Sequence, residues 1–124
     1  MVKDIRLRRV PKSFKYAARG IWHVLRTEQN IQIHTVATAV VVVLAILLHI
    51  TATEWAILLL TIGLVLSGEI LNTVVEDFLD IIHPEHHESV RRIKDAIAGA
   101  VLLSAGIAVA EGVIIFGPRI VAAL

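Results

Sequence analysis

Residues 67–80 read SGEILNTVVEDFLD and follow directly on WAILLLTIGLVL, residues 55–66. Carboxylates at 69 and 76 and an amide at 72 interrupt what otherwise continues as one apolar helix. Positions 69, 72, 73, 76 and 80 recur at helical spacings of three or four, so Glu69, Asn72, Thr73, Glu76 and Asp80 share one face. Whether that helix stands in water or in lipid decides the fold.

Composition answers for lipid. Of 124 residues, 56% are hydrophobic, and the mean hydropathy is +0.77, above what a water-soluble globular domain carries. Residues 31–50, 55–75 and 96–118 are three apolar runs, each close to the roughly 20 residues that cross a hydrocarbon core. Trp55 opens the second as an interfacial anchor, and Gly117-Pro118 ends the third. The short connection HITATE, residues 49–54, leaves room only for a hairpin between the first two. Ahead of them, residues 12–26 put Phe14, Ala18, Ile21, Trp22 and Leu25 on one helical face and Lys12, Lys15, Arg19, His23 and Arg26 on the other, the pattern of a helix lying on the membrane surface. The expected fold is a single all-α integral membrane domain over 1–124, with one surface helix and three transmembrane helices. Three spans bury few of their own polar groups, which favours a homo-oligomer. In the third span Ala96, Ala100, Ser104, Ala108 and Gly112 recur every four residues, as a close helix contact requires.

Charge sets the orientation. Eight of the twelve Lys and Arg residues lie in the first 26 positions, and Arg91, Arg92 and Lys94 lie between the second and third spans. A cytoplasmic N-terminus keeps all of these inside and leaves only Arg119 outside. The basic end is expected at anionic lipid heads, with no nucleic-acid partner. The N-terminus has no apolar h-region or cleavage site, so no removable signal peptide is expected. Cysteine is absent, which excludes disulfides and thiolate metal sites.

Depth then assigns chemistry. With Trp55 at the outer interface and a rise of about 1.5 Å per residue, Glu69 lies about 21 Å along and Glu76 about 31 Å along, against a core about 30 Å thick. Glu69 is inside lipid depth and Glu76 reaches the cytoplasmic boundary. Burial disfavours the charged form of Glu69, the condition for a general base that works near neutral pH. Glu76 and Glu28, at the same level, suit a hard cation such as Mg²⁺, which takes one or two carboxylates plus phosphate oxygens. Lys94 enters the third span at this boundary, where an ammonium neutralises phosphate. Such a site suits phosphoryl transfer from a water-borne donor to a membrane-borne hydroxyl. No GxxxxGK[ST] or other glycine-rich phosphate loop is present.

The run Glu69-Ile-Leu-Asn72-Thr-Val-Val-Glu76-Asp77, with Lys94-Asp95 and Gly99-Ala-Val-Leu after it, resembles the small integral-membrane prokaryotic diacylglycerol kinase family, from about Phe14 to Pro118. RTEQNIQIH, residues 26–34, resembles its undecaprenol kinase branch. The resemblance implies a homotrimer in the bacterial cytoplasmic membrane with active sites shared between subunits. It implies Glu69 as catalytic base, Asn72 orienting groups around the reacting hydroxyl, Glu28 and Glu76 as Mg²⁺ carboxylates, and Lys94 on phosphate. It also implies Arg9, Tyr16, Glu85, His87 and Asp95 as further contacts to ATP. Undecaprenol is the expected acceptor and diacylglycerol the alternative; from another class, a small proton-coupled transporter would use Glu69 to carry its ion. His83, His86 and His87 have no fixed ligand spacing around Pro84 and read as a solvated loop or nucleotide contact. Glu111 falls toward the outer end of the third span, where a pairing partner or water is expected; His34 and His49 bracket the first span.

Overall fold

The computed structural model describes residues 9–124. Four helices follow one another: α1 Val10–Thr27, α2 Gln29–Leu47, α3 Ala52–Ile82 and α4 Glu88–Ala123. Among the described residues there is no strand. The helices α2, α3 and α4 are each long and apolar enough to cross a membrane.

α1 carries Pro11 in its first turn, where a missing N–H costs no hydrogen bond. Its apolar face stays uncovered, with Phe14, Ile21 and Trp22 all exposed, as a helix resting on lipid requires; only Val24 is buried against the bundle. Glu28, in extended conformation, separates α1 from α2. The side-chain amide of Gln32 reaches back across this break and donates to the carbonyls of Leu25 (3.0 Å) and Arg26 (3.2 Å), which α1 leaves unpaired at its end.

α2 stops three residues before the predicted end of the first span. His49 adopts φ 53°, Ile50 N–H donates to Ala45 O and His49 N–H to Ile46 O, both at 3.3 Å. That pair of bonds is a Schellman stop, and Ile50 packs beside Ala45 in the core as the motif prefers. Two residues later a capping box starts α3: Thr51 Oγ1 accepts from Glu54 N–H (3.2 Å), while the Glu54 carboxylate accepts from Thr51 N–H (2.9 Å). Ala45, Ile50, Leu58, Ile115 and Phe116 form the buried cluster at this end. Arg119 of α4 clamps it, donating to both carboxylate oxygens of Glu54 at 3.0 and 2.7 Å.

α3 is about 46 Å long and α4 about 54 Å, so both outrun a 30 Å core and project beyond it. Their connection, residues 83–87, contains Pro84, and His87 Nδ1 caps α4 by accepting from Ser89 N–H at 3.1 Å. At its other end α4 does not stop at Gly117-Pro118; the helix continues to Ala123 with Pro118 inside it. A proline this close to a helix end removes one backbone bond, and the Arg119 guanidinium adds one to the Ile115 carbonyl at 2.9 Å. The small-residue stripe is only partly used within the chain. Ser104, Ala108 and Gly112 are half-buried, whereas Ala96 and Ala100 are exposed. Steps of four residues drift about 40° each, so the five positions sweep about 160° and cannot all face α3.

Candidate active site

The polar stripe of α3 grades from dry to wet. Glu69 (4% exposed), Asn72 and Thr73 are buried, Glu76 is half-buried and Asp80 is exposed. Thr73 Oγ1 returns its hydrogen to the Glu69 carbonyl at 3.1 Å, so it spends its donor on its own helix. Asn72 Oδ1 is buried with no hydrogen-bond partner among the described residues. That oxygen is free to accept from a water or a substrate hydroxyl.

Across from Glu69 stands His34 of α2, its Nε2 3.0 Å from Glu69 Oε1. This contact fixes the register of the two antiparallel helices. Glu28 lies six residues before His34, about 9 Å along α2, and Glu76 seven residues after Glu69, about 10.5 Å along α3. Glu28 and Glu76 therefore come to one level, one step nearer the wet end than the His34–Glu69 pair. Both are half-buried, and among the described residues neither carboxylate makes an ion pair or side-chain hydrogen bond. Two oxygen donors left unengaged fit Mg²⁺, which keeps its remaining positions for water and phosphate. No group of three or more His, Asp or Glu side chains converges as a metal cage among the described residues.

Lys94, in the second turn of α4, donates to Asp80 Oδ1 at 2.5 Å. This bond, and then the charges of Asp80 and Glu76, hold its ammonium above the ordinary lysine range. Glu85, His87 and Lys94 line one groove of about 290 Å³ between the ends of α3 and α4, together with Asp80, His83 and Arg91. Asp95 is outside that groove and pairs with Arg91 at 2.9 Å on the exposed side of α4. Arg91 is itself held above its usual range, first by its bond to Glu88 and then by Asp95. Arg9 and Tyr16 are exposed on α1, where the Arg19 guanidinium sits 5.6 Å from the Tyr16 ring centre. Neither lines the groove.

At the other end of the bundle Thr61 Oγ1 lies within hydrogen-bond distance of both the Ile57 carbonyl (3.0 Å) and Glu111 Oε2, its single hydrogen shared between them, and the second Glu111 oxygen is buried without a partner among the described residues. Thr61 and Glu111 line a cavity of about 110 Å³ between α2, α3 and α4, along with His34, Thr38, Leu58 and Phe116. The pairing partner expected for Glu111 is thus Thr61. Two features were not read from the sequence. The His34 partnership crosses helices and is legible only once the turn is placed at Thr51, for which Thr51-x-x-Glu54 is the capping signal that the position of Trp55 obscured.

The sequence pattern of the prokaryotic diacylglycerol kinase family matches residues 15–116. The chain is 42% identical to undecaprenol kinase of Bacillus subtilis over 92% of its own length and 93% of that protein's. It is also 42% identical to diacylglycerol kinase of Synechocystis, over 81% of this chain and 58% of that protein. Diacylglycerol kinase of Escherichia coli is 33% identical over 82% of this chain and 83% of its own.

Proposed function

The chain belongs to the prokaryotic diacylglycerol kinase family, and on that premise we propose that this lipid kinase phosphorylates undecaprenol at the cytoplasmic face of the membrane. The observation that carries the chemistry is the buried Glu69 on a stripe that opens to water at one end only. The acceptor rests on the likeness to the Bacillus protein along nearly all of both chains. The Synechocystis and Escherichia relatives, both named diacylglycerol kinases, support diacylglycerol as the second reading.

In this reading a lipid hydroxyl enters from the apolar side beside Glu69. Its oxygen attacks the γ-phosphorus of ATP, its proton passes to the Glu69 carboxylate, and the bond from the γ-phosphorus to the bridging oxygen breaks to release ADP. No covalent enzyme intermediate forms. Asn72, three residues along the same face, orients the groups around the hydroxyl. Glu28 and Glu76 would hold Mg²⁺, which when bound neutralises charge on the transferred phosphate. Lys94 supplies a second, fixed positive charge at the same boundary, and Glu85 and His87 share its groove. Arg9, Tyr16 and Asp95 complete the nucleotide contacts, from surfaces that a neighbouring subunit reaches. A homotrimer with shared sites accounts for that separation and for the unpartnered Asn72 Oδ1. The uneven division of Lys and Arg supports a cytoplasmic N-terminus in the bacterial inner membrane.

The test supplies radiolabelled ATP and Mg²⁺ with undecaprenol or diacylglycerol in mixed micelles and compares kcat/KM. A clear preference for undecaprenol is expected; equal or lower use of it moves the assignment to diacylglycerol. Glu69→Gln is expected to keep its oligomeric state and lose most turnover, and near-normal turnover removes Glu69 from the role of base.

A further inference from the structure

We propose that His34 is a positioning residue for the catalytic carboxylate: its imidazole holds Glu69 Oε1 so that Oε2 faces the incoming hydroxyl. This rests on the reading of Glu69 as base. A glutamate has three side-chain torsions, and on a smooth apolar helix nothing but a partner fixes the last of them. Among the described residues no Lys or Arg lies within ion-pair distance of Glu69, and Thr73 bonds the backbone carbonyl, leaving the carboxylate to His34 alone. His34 Nε2 is 3.0 Å away, and the His34 ring is only 28% exposed while Glu69 is 5% exposed at its side chain.

The backbone that carries the ring is anchored. His34 sits one and a half turns into α2, past the Glu28 break that Gln32 bolts to α1, and its other flank walls the cavity shared with Thr38, Thr61 and Glu111. A base that must take a proton from a hydroxyl needs its free oxygen at hydrogen-bond reach, and a misplacement of about 1 Å costs up to a hundredfold in rate. During transfer the proton leaves the hydroxyl for Glu69 Oε2, the new O–P bond forms as the old one breaks, and the imidazole keeps its own protons throughout. The same contact explains why the carboxylate is tolerated so deep in the bundle, since a polar partner offsets part of its desolvation.

The distinguishing experiment measures kcat and the KM for ATP in mixed micelles for His34→Leu, His34→Gln, His34→Asn, Glu69→Gln and the double variant Glu69→Gln/His34→Leu. His34→Leu should lower kcat between tenfold and a hundredfold with the KM for ATP within twofold of the parent. His34→Gln, whose amide nitrogen has comparable reach, should recover most of that loss, and the shorter His34→Asn should not. The double variant should fall no further than Glu69→Gln alone, because the two act as a unit. A kcat for His34→Leu within twofold of the parent, a His34→Gln as slow as His34→Leu, or additive losses in the double variant would each overturn the role of His34. If the Leu variant does not assemble, the Gln and Asn pair, matched by size-exclusion profile, decides alone: equal kcat values overturn the proposal. Near-normal turnover in Glu69→Gln instead overturns the underlying reading, whatever the His34 variants do.

Discussion

His49 offers a measurement of what the α2–α3 turn contributes. It holds φ 53° at the position after the last helical carbonyls, where its own N–H and that of Ile50 close α2 onto Ile46 and Ala45. An L-residue in this left-handed region carries a cost of about 1–2 kcal/mol that glycine escapes. Glycine in turn loosens the unfolded chain, which takes back about 0.4–1 kcal/mol. His49→Gly should therefore gain about 0.5–1 kcal/mol, roughly a two- to fivefold rise in the ratio of folded to unfolded protein. His49→Val, whose branched Cβ crowds the same conformation, should lose about 1 kcal/mol or more relative to the parent. The assay is SDS titration of protein held in mild-detergent micelles, followed by the fluorescence of Trp55, which packs against the core cluster beside this turn. Kinase turnover should not change, since His49 stands at the opposite end of α2 from His34. A Val variant as stable as the Gly variant would refute the assignment of strain to this residue.

Two further outcomes follow from the charged ends of the bundle. Arg119 at Glu54, chiefly by its hydrogen bonds, holds that carboxyl below the ordinary glutamate range, so the clamp stabilises fully above a pH of about 4.3 and is lost as pH falls below it toward the depressed folded value. Glu54→Gln should flatten that acid limb in the same SDS titration, and an unchanged limb would remove the clamp as its cause. Lys94, raised by its bond to Asp80, should stay charged through neutral and past about pH 10.4, its contribution lost only as pH rises through the higher folded value. Lys94→Met should accordingly raise the KM for ATP by about tenfold or more across pH 6.5–9; an unchanged KM takes Lys94 off the phosphate.

The three crossings and the polar face of α3 were legible because each depends on spacing within one helix: an apolar run of bilayer length, and polar residues three and four apart. What lay outside such reading depends on how two helices face one another. His34 and Glu69 stand 17 and 18 residues either side of Thr51, and Ala45 and Leu58, which share the core cluster, stand 6 and 7 residues either side. A hairpin folded at Thr51 maps each pair onto itself, so the partnership was present in the sequence once the turn was located. Locating it required the Thr51-x-x-Glu54 capping signal, whereas the end of the apolar run at Ile50 marks the limit of hydrophobicity and not of the helix. Pro118 misleads in the reverse direction, because a proline stops a helix only where the lost bond and the clash matter, and near Ala123 few bonds remain to lose.

The same mirror relation explains why a base and its proposed metal carboxylates can coexist on so thin a bundle. A single α3 cannot give Glu69 and Glu76 different partners by itself, because both lie on one face. α2 runs past that face in the opposite sense, with His34 beside Glu69, and with Glu28, the extended residue just before its first turn, at the level of Glu76. The deep carboxylate meets the His34 imidazole, a polar partner that offsets part of its burial. The shallow one lies level with Glu28 and within the field of the Lys94 ammonium, which it helps to hold charged. Sliding α2 toward the Glu76 end by about 10 Å would set His34 at the level of Glu76 and leave Glu69 unpaired at lipid depth. The α2–α3 turn, far from the proposed site, therefore sets which residue of the preceding segment stands level with Glu69 and which with Glu76.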